Sequence, residues 1–566
     1  MGASIWIKKI TFNDNTTLEL AKSDIVVFVG PNNAGKSITL RGLFDLFSNR
    51  GSNVAPIVRS IEVQRDGTDE DLAKWIEKNC QESFDHPRTV DNNYVVTKAN
   101  IRNYLSDIKS NWTSDSTPNL TGDYFACWAA AGNRLEVANA ANSIVIHKDP
   151  FTHPIHYLYG NDALEEKLCK GFKESFGLDL IVDRVGGSQV PLRCGIRPPL
   201  CIGEDRLSHN YLKKIQALPL LHEQGDGMRS FVGCLLLATV VDNSLILVDE
   251  PEAFLHPPQA RQLGRMLAKD KPFGRQLFLA THSGDFLRGL LSAESSHIRV
   301  LRIRRDGSIN PIRQLSPDRV QQLWRDPLLR HSHTLDGLFH EKVILCESDS
   351  DCRFYGAVMD ALFDNAPDQN RPAIMFTHCG GKQRMPVILE SLTHLEVPLR
   401  VVADFDLLRE EQPLRKIFEA LGGSWEFVKN DWQFINSTII NMRAELRTSE
   451  VRKELSRILD SIEGDSFPEL ARQSVREIVR KTSAWSSIKT TGRIGLPSGQ
   501  PIQTLDRLLS HFKAKGLFVV EVGELEGFDR GLGGHGPTWV NSVLEKNLFT
   551  ASELEGARLF VRTLIL

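Results

Sequence analysis

Residues 25–48 restrict the fold of this chain more than any other segment. Ile25-Val26-Val27-Phe28-Val29 is continuously apolar, the pattern of a strand covered on both faces. It runs directly into Gly30-Pro31-Asn32-Asn33-Ala34-Gly35-Lys36-Ser37, after which apolar residues recur at helical spacing over 38–48. Strand, glycine-bearing loop and helix in that order fit G-x-x-x-x-G-K-[ST]. Glycines at 30 and 35 let the backbone wrap round phosphates with its N–H groups pointing inward, and the helix N-terminus adds a positive dipole end. Lys36 is placed to reach the β/γ-phosphates and the Ser37 hydroxyl to ligate Mg²⁺. Gly30, Asn33, Gly35, Lys36 and Ser37 are therefore candidate ATP-binding residues.

A second strand pattern, Leu245-Ile246-Leu247-Val248, delivers Asp249 and Glu250 at its C-terminal end, as a Walker B strand does. Asp249 is expected to hold Mg²⁺ through water and Glu250 to polarise the attacking water. A further strand over Leu277–Ala280, separated from it by a helix, ends in Thr281-His282-Ser283, where His282 suits a contact to the γ-phosphate. Upstream, Gln224-Gly225-Asp226-Gly227-Met228-Arg229-Ser230 is a glycine-rich turn before an apolar helix. With Pro251-Glu252 behind the Walker B acids, this order resembles the ABC ATPases of the SMC/RecF type. Gly225 and Gly227 then stand in a diverged signature motif. In that family the signature loop of one subunit closes on the nucleotide of another, so the resemblance implies a homodimer or a higher homo-oligomer.

An ATPase domain over 1–335, with a poorly legible inserted region near 50–215 in which no chemistry is recognised, leaves 336–566 to a further domain. There Val343–Cys346 is an apolar strand ending in Glu347, followed by Ser348-Asp349-Ser350-Asp351. Val401-Val402-Ala403 ends in Asp404-Phe405-Asp406. In a parallel sheet the C-terminal ends of neighbouring strands share one edge, so Glu347, Asp404 and Asp406 are expected to converge on a hard cation, Mg²⁺ or Mn²⁺. If the strand persists, both aspartates project from the same face. A Gly380-Gly381-Lys382 turn between the two motifs suits close approach to a phosphate.

A strand-end Glu followed by a strand-end Asp-x-Asp resembles a TOPRIM domain. An ABC ATPase followed by TOPRIM resembles the OLD (overcoming lysogenization defect) nucleases, which include subunits of Gabija phage-defence systems and some retron effectors. The resemblance implies an α/β fold: an N-terminal ABC-type, SMC/RecF-like ATPase domain, then a Rossmann-like TOPRIM domain with a helical, basic insertion near 440–515. It implies metal-dependent phosphodiester cleavage at a two-metal site. It extends to Val522-Gly523-Glu524-Leu525-Glu526-Gly527, placing Glu524 and Glu526 with Glu347, Asp351, Asp404 and Asp406 on metal, with Asp351 at i+4 from Glu347. Near Trp539, where the family often carries a lysine, this chain has Gly533-Gly534-His535-Gly536-Pro537-Thr538. The basic catalytic partner thus stays open among His535, Lys382, Lys513 and Lys515.

Partners follow from charge and context. The net formal charge of −3 means that nucleic acid must meet a local basic surface. Residues 441–516 hold 14 Lys/Arg against 9 Asp/Glu, with Arg472, Arg476, Arg480 and Lys481 at helical spacing. That is a phosphate-tracking helix or a solvated face. The longest apolar stretch, around Phe231–Val241, falls short of the roughly 20 residues that span a bilayer. The first residues lack a secretory or myristoylation pattern. Nine scattered cysteines without a CxxC pair read as reduced thiols of a cytoplasmic protein. The expected substrate is DNA; the alternatives are RNA such as tRNA, or a DNA-sensing SMC/RecF-like ATPase whose TOPRIM domain does not cleave. In a defence system, a partner protein or a retron nucleic acid is a further expected partner.

Overall fold

The strand Ile25–Val29 is buried along its whole length, third in a six-stranded sheet. The computed structural model describes residues 2–48, 57–84, 94–98, 101–113, 121–293, 295–315, 333–364, 370–381, 383–394, 397–442, 448–462, 466–480 and 484–566. They form two units, Met1–Phe339 and His340–Leu566.

In the first unit the sheet order is Ile312–Gln314, Ile298–Ile303, Ile25–Val29, Gln276–Ala280, Leu245–Asp249, Ala126–Ala129. All neighbours are parallel except the Ile312–Gln314 edge strand. The strand that ends at Thr281 and His282 thus lies between the P-loop strand and the Walker B strand. Its Ala280 pairs with Phe28 on one side and Asp249 on the other, so all three strands end at one edge. A three-stranded antiparallel sheet of Thr17–Glu19, Ser4–Phe12 and Val58–Asp66 packs beside this one. Val26 and Phe28 share a core with Ile5, Ile7, Ile10 and Phe12 from it, and with Leu40 and Leu43 from the helix Lys36–Phe47.

Buried polar groups join the two sheets without loss of hydrogen bonding. The Gln276 amide accepts from the Ile7 N–H and donates to the Ile7 carbonyl, both at 2.8 Å. Ser244 does the same with Ile5, at 3.1 and 2.6 Å. An unpaired amide there would cost about 1–3 kcal/mol.

The second unit is built on a four-stranded parallel sheet, in the order Ile374–His378, Lys342–Cys346, Leu399–Ala403, Leu517–Val519. Alternation along these strands feeds two cores. Leu345, Val401, Ala403 and Val519 face one, packed with helices Met385–His394, Glu411–Ala420, Trp425–Asn441 and Gln500–Ala514. Ile344, Cys346, Val402 and Phe518 face the other, packed with Asp349–Asp364, Pro537–Glu545 and Glu555–Ile565. Cover on both faces is why Val343–Cys346, Val401–Ala403 and Leu517–Val519 read as unbroken apolar runs. Among the described residues no helix is long and apolar enough to cross a membrane.

Candidate functional site

The P-loop takes its shape from backbone conformations that few residues adopt. Gly30 and Gly35 have φ of 147° and 102°, and Asn33 sits at 61°. A side chain at Gly30 would also meet the Ile303 carbonyl oxygen at 2.3 Å. Lys36 folds back over the loop, its ammonium donating to the carbonyls of Gly30 and Pro31, each at 2.9 Å. Burial pushes its pKa down, against the pull of Glu250, Glu252 and Asp249. The Ser37 hydroxyl donates to the Asp249 carboxylate at 2.9 Å, which brings the two candidate Mg²⁺ ligands together. Burial raises the Asp249 pKa, opposed by that hydrogen bond.

Beyond Asp249 the chain turns with Glu250 at φ 48°. His282 lies between two carboxylates, its Nδ1 3.5 Å from Glu250 and 3.3 Å from Glu252. Glu252 is buried and holds the neighbouring strand end, accepting from the Thr281 hydroxyl at 2.8 Å and the His282 N–H at 2.9 Å. Gly225 caps the helix Asp226–Leu235 and is exposed. Gly227 lies under the turn after Walker B, where an added Cβ would stand 2.9 Å from the Phe254 carbonyl oxygen.

One residue of this site is absent from the sequence reading, which recognises no chemistry in 50–215. Arg134, on the helix Ala131–Val137, is fully buried. Its guanidinium donates to the carbonyls of Ala129 at 2.9 Å, Asp249 at 2.7 Å and Glu250 at 2.8 Å, and Nε reaches the Ser230 hydroxyl at 3.4 Å. Ser230 in turn donates to Ala253 at 3.1 Å. Arg134 thus fastens the Walker B turn to the helix that follows the glycine-rich signature turn. A lone arginine in an unremarkable helix carries no sequence signal for this role.

In the second unit the strand ends bring Glu347, Asp404 and Asp406 together, with one carboxylate oxygen of each within 4.8 Å of the others. Glu347 accepts from the Asp404 N–H at 3.1 Å. The convergence does not arise from a persisting strand. The strand stops at Ala403, and Phe405–Arg409 is a 3₁₀ turn. Phe405 is buried and donates its N–H to the Gly523 carbonyl at 2.9 Å, so the backbone turns at Asp404 and the two aspartates meet across a turn instead of along a pleat. Burial raises the Asp404 pKa well above the usual carboxylate range, and the charges of Glu347, Asp351, Asp406 and Glu524 add to it.

Asp351 departs from its expected relation to Glu347. The helix begins at Asp349, so Glu347 lies outside it and the pair does not share a helical face. The Asp351 carboxylate instead accepts from the Ser348 N–H at 2.8 Å, while its own N–H donates to the Ser348 hydroxyl at 3.3 Å. Its pKa is raised by burial and, among further influences, by Glu526.

Glu524, Glu526 and His535 form a second group, again with one ligand atom each within 4.8 Å of the others. Lys489, from the helix Ala484–Thr491, connects the two groups, 3.0 Å from Glu524 and 3.7 Å from Asp406. Burial works against its charge, yet the hydrogen bond to Glu524 and the charges of Asp406 and Asp404 raise its pKa overall. Lys489 is not among the basic partners that the sequence suggests. Of those, Lys382 lies outside the described residues. Lys513 and Lys515 precede the strand Leu517–Val519, at the sheet edge opposite the acids, and the Lys513 ammonium stands 6.0 Å from the Phe518 ring centroid. His535 does reach the acids.

Hard oxygen donors at this spacing suit Mg²⁺ or Mn²⁺. The basic stretch 441–516 contains the helices Thr448–Leu459, Glu469–Arg480, Ala484–Thr491 and Gln500–Ala514. Arg472 pairs with Glu469 at 3.2 Å, the arrangement of a solvated face. The Arg480 side chain and Lys481 lie outside the described residues.

Residues 138–288 match the family described as "AAA domain, putative AbiEii toxin, Type IV TA system". Residues 338–406 match "Overcoming lysogenization defect protein-like, TOPRIM domain". Over 172 residues the chain is 24% identical to Old nuclease of Escherichia phage P2, a match covering 29% of this chain and 28% of that protein. It is 38% identical over 87 residues to the uncharacterized protein MJECL11 of Methanocaldococcus jannaschii, covering 15% of this chain and 76% of that one. Similar solved structures include the SMC head domain from Thermotoga maritima, at 13% identity and TM-score 0.28, covering 56% of this chain and 100% of that one. The SmcHead bound to the C-winged helix domain of ScpA aligns at 12% identity and TM-score 0.33, covering 56% and 99%.

Proposed function

We propose that the chain is an ATP-hydrolysing, metal-dependent endonuclease of the OLD type that cleaves DNA under nucleotide control, a reading supported by its ATPase and TOPRIM matches and its likeness to Old nuclease. The convergence of Glu347, Asp404 and Asp406 at one sheet edge carries this reading. A TOPRIM domain reduced to a scaffold has no reason to keep three mutually repelling carboxylates so close together.

Glu347, Asp404 and Asp406 would hold one divalent cation and Glu524 and Glu526 a second, with Asp351 shaping the field between them. Bound there, the cations supply activation of water and stabilisation of the leaving 3′-oxygen. Lys489 provides a fixed positive charge between the two groups for the charge that develops on the scissile phosphate. In the first unit Lys36 would exchange its two carbonyl partners for β/γ-phosphate oxygens, and Ser37 and Asp249 would share Mg²⁺. Glu250 and His282 would orient water and the γ-phosphate. The turn at Gly225 and Gly227, exposed at Gly225, would complete the nucleotide site of a second copy, which would make the working form a homodimer or larger.

The test is cleavage of plasmid DNA and of structured RNA with Mg²⁺ or Mn²⁺, with and without ATP, by the wild type, Glu347→Ala and Lys36→Ala. We expect metal-dependent DNA cleavage that Glu347→Ala abolishes and whose ATP response Lys36→Ala removes. Cleavage of RNA alone would reassign the substrate. Loss of both activities alongside intact DNA-stimulated ATPase would favour the sensing reading. The family context supports a role in anti-phage defence, which a plaque assay comparing wild type with Glu347→Ala decides. Light scattering of Glu250→Gln with and without ATP tests the dimer; a monomer with saturating ATP refutes it.

A further inference from the structure

The loop 533–536 is built to present an imidazole. Gly533, Gly534 and Gly536 all adopt positive φ, at 70°, 89° and 57°, so the backbone turns tightly on both sides of His535. Trp539 anchors the loop from behind: it is fully buried and donates its indole N–H to the Asp529 carbonyl at 3.1 Å. The result is an exposed His535 whose Nδ1 stands 2.9 Å from a Glu526 oxygen and 3.5 Å from a Glu524 oxygen. Both carboxylates are largely buried, and Glu526 is fixed by the Gly536 N–H. The three ligand atoms border a cavity of about 230 Å³ that Thr490, Arg530 and Trp539 also line.

This donor set differs in kind from that of Glu347, Asp404 and Asp406. The first group is all oxygen and suits Mg²⁺, which demands hard ligands and keeps several waters. The second adds an imidazole nitrogen, a donor that favours first-row transition metals over Mg²⁺. We propose that Glu524, Glu526 and His535 form a mixed nitrogen–oxygen site selective for a transition-metal dication over Mg²⁺, so that the two cation positions of this chain have different metal preferences. The inference rests on the metal-dependent reading above and adds a ligand and a metal class to it.

The experiment uses the full chain, stripped of metal, and Mn²⁺ as probe. Electron paramagnetic resonance counts bound Mn²⁺ in competition with Mg²⁺, and spin-echo modulation detects ¹⁴N coupling from a directly bound imidazole. We expect a nitrogen-coupled Mn²⁺ that excess Mg²⁺ does not displace. His535→Ala, at an exposed position, should fold normally, lose the nitrogen coupling and weaken Mn²⁺ binding at that site about 10–100-fold. Its Mg²⁺ binding should stay within about twofold. Glu347→Gln should keep the nitrogen signal while losing binding at the other group. Absence of ¹⁴N coupling in the wild type, or unchanged Mn²⁺ affinity in His535→Ala, overturns the proposal. A retained nitrogen signal in a protein that cleaves nothing would refute the nuclease reading and leave this site standing.

Discussion

Replacing Arg134 by methionine isolates one physical claim: that a buried guanidinium holds the Walker B turn in its working shape. Methionine keeps much of the volume and removes every donor. The carbonyls of Ala129, Asp249 and Glu250 then lose bonds of 2.7–2.9 Å to a guanidinium that is itself fully buried. Hydrogen bonds to a charged group contribute about 1.5–3 kcal/mol each. Part of that is offset because a guanidinium no longer has to be buried, which leaves about 3–5 kcal/mol of the summed loss over three such bonds. For a unit the size of Met1–Phe339, an unfolding entropy near 2.1 cal/mol/K per residue gives about 0.7 kcal/mol/K, so its melting point should fall by about 4–7 °C. Calorimetry on the full chain measures this, the relevant transition being the one that ATP shifts upward. Activity should fall for a separate reason. Glu250 is held at φ 48°, a conformation that costs about 1–3 kcal/mol and persists only while its surroundings enforce it. Once released, the turn relaxes and ATP hydrolysis should fall about 100-fold, the usual order for misplacing a catalytic group, while ATP affinity, which on the proposed reading depends on Lys36 and Ser37, stays within a few-fold. Arg134→Lys should fall between, because one ammonium cannot span three carbonyls. A methionine variant that melts within about 1 °C of wild type and hydrolyses ATP normally would refute the reasoning.

Three further outcomes can be checked. Lys36→Ala should weaken ATP binding by about 10–100-fold, the equivalent of one charge-assisted bond, in a calorimetric titration; unchanged affinity would remove Lys36 from the phosphate site. Lys489→Met should lower DNA cleavage by about 100-fold or more without weakening metal binding, because the ammonium competes with cations at Asp406 and Glu524 instead of recruiting them; a parallel loss of metal affinity would make Lys489 a structural residue only. Without metal, the folded chain keeps a proton on Asp404 to higher pH than the unfolded chain does. The native state therefore binds more protons above the usual carboxylate pKa of about 3.9, and stability falls as pH rises from there through the raised Asp404 pKa. Thermal melts in chelator should show this slope in wild type and lose it in Asp404→Asn, and Mg²⁺ or Mn²⁺ should reverse it, since cation binding needs the ionised carboxylate. A metal-free difference of opposite sign would disprove the linkage.

What the sequence revealed and what it hid follow from how far each interaction reaches along the chain. The P-loop, the Walker B acids and the strand-end Glu347 are legible because strand, turn and ligand fall within about a dozen residues, and the apolar run announces where the strand stops. Asp404 and Asp406 are legible as a pair but not in their geometry. The turn that brings them together depends on the contact of Phe405 with Gly523, 118 residues away, and no local pattern foretells it. Arg134 acts on Asp249 and Glu250 across 115 and 116 residues, and Lys489 acts on Asp406 across a helical insertion. Both belong to segments whose composition reads as ordinary helix, because the demand for a cation comes from carbonyls and carboxylates that the fold delivers later. The four-residue strand Ala126–Ala129, which completes the first sheet next to Walker B, is hidden for the same reason: Ala-Cys-Trp-Ala has too little alternation to mark a strand, and its pairing partner supplies the order. The residues that a sequence shows are thus the candidate ligand groups carried at a strand end. The residues that set the charge and shape of those ends, Arg134 in one unit and Lys489 in the other, become visible only once the strands are paired.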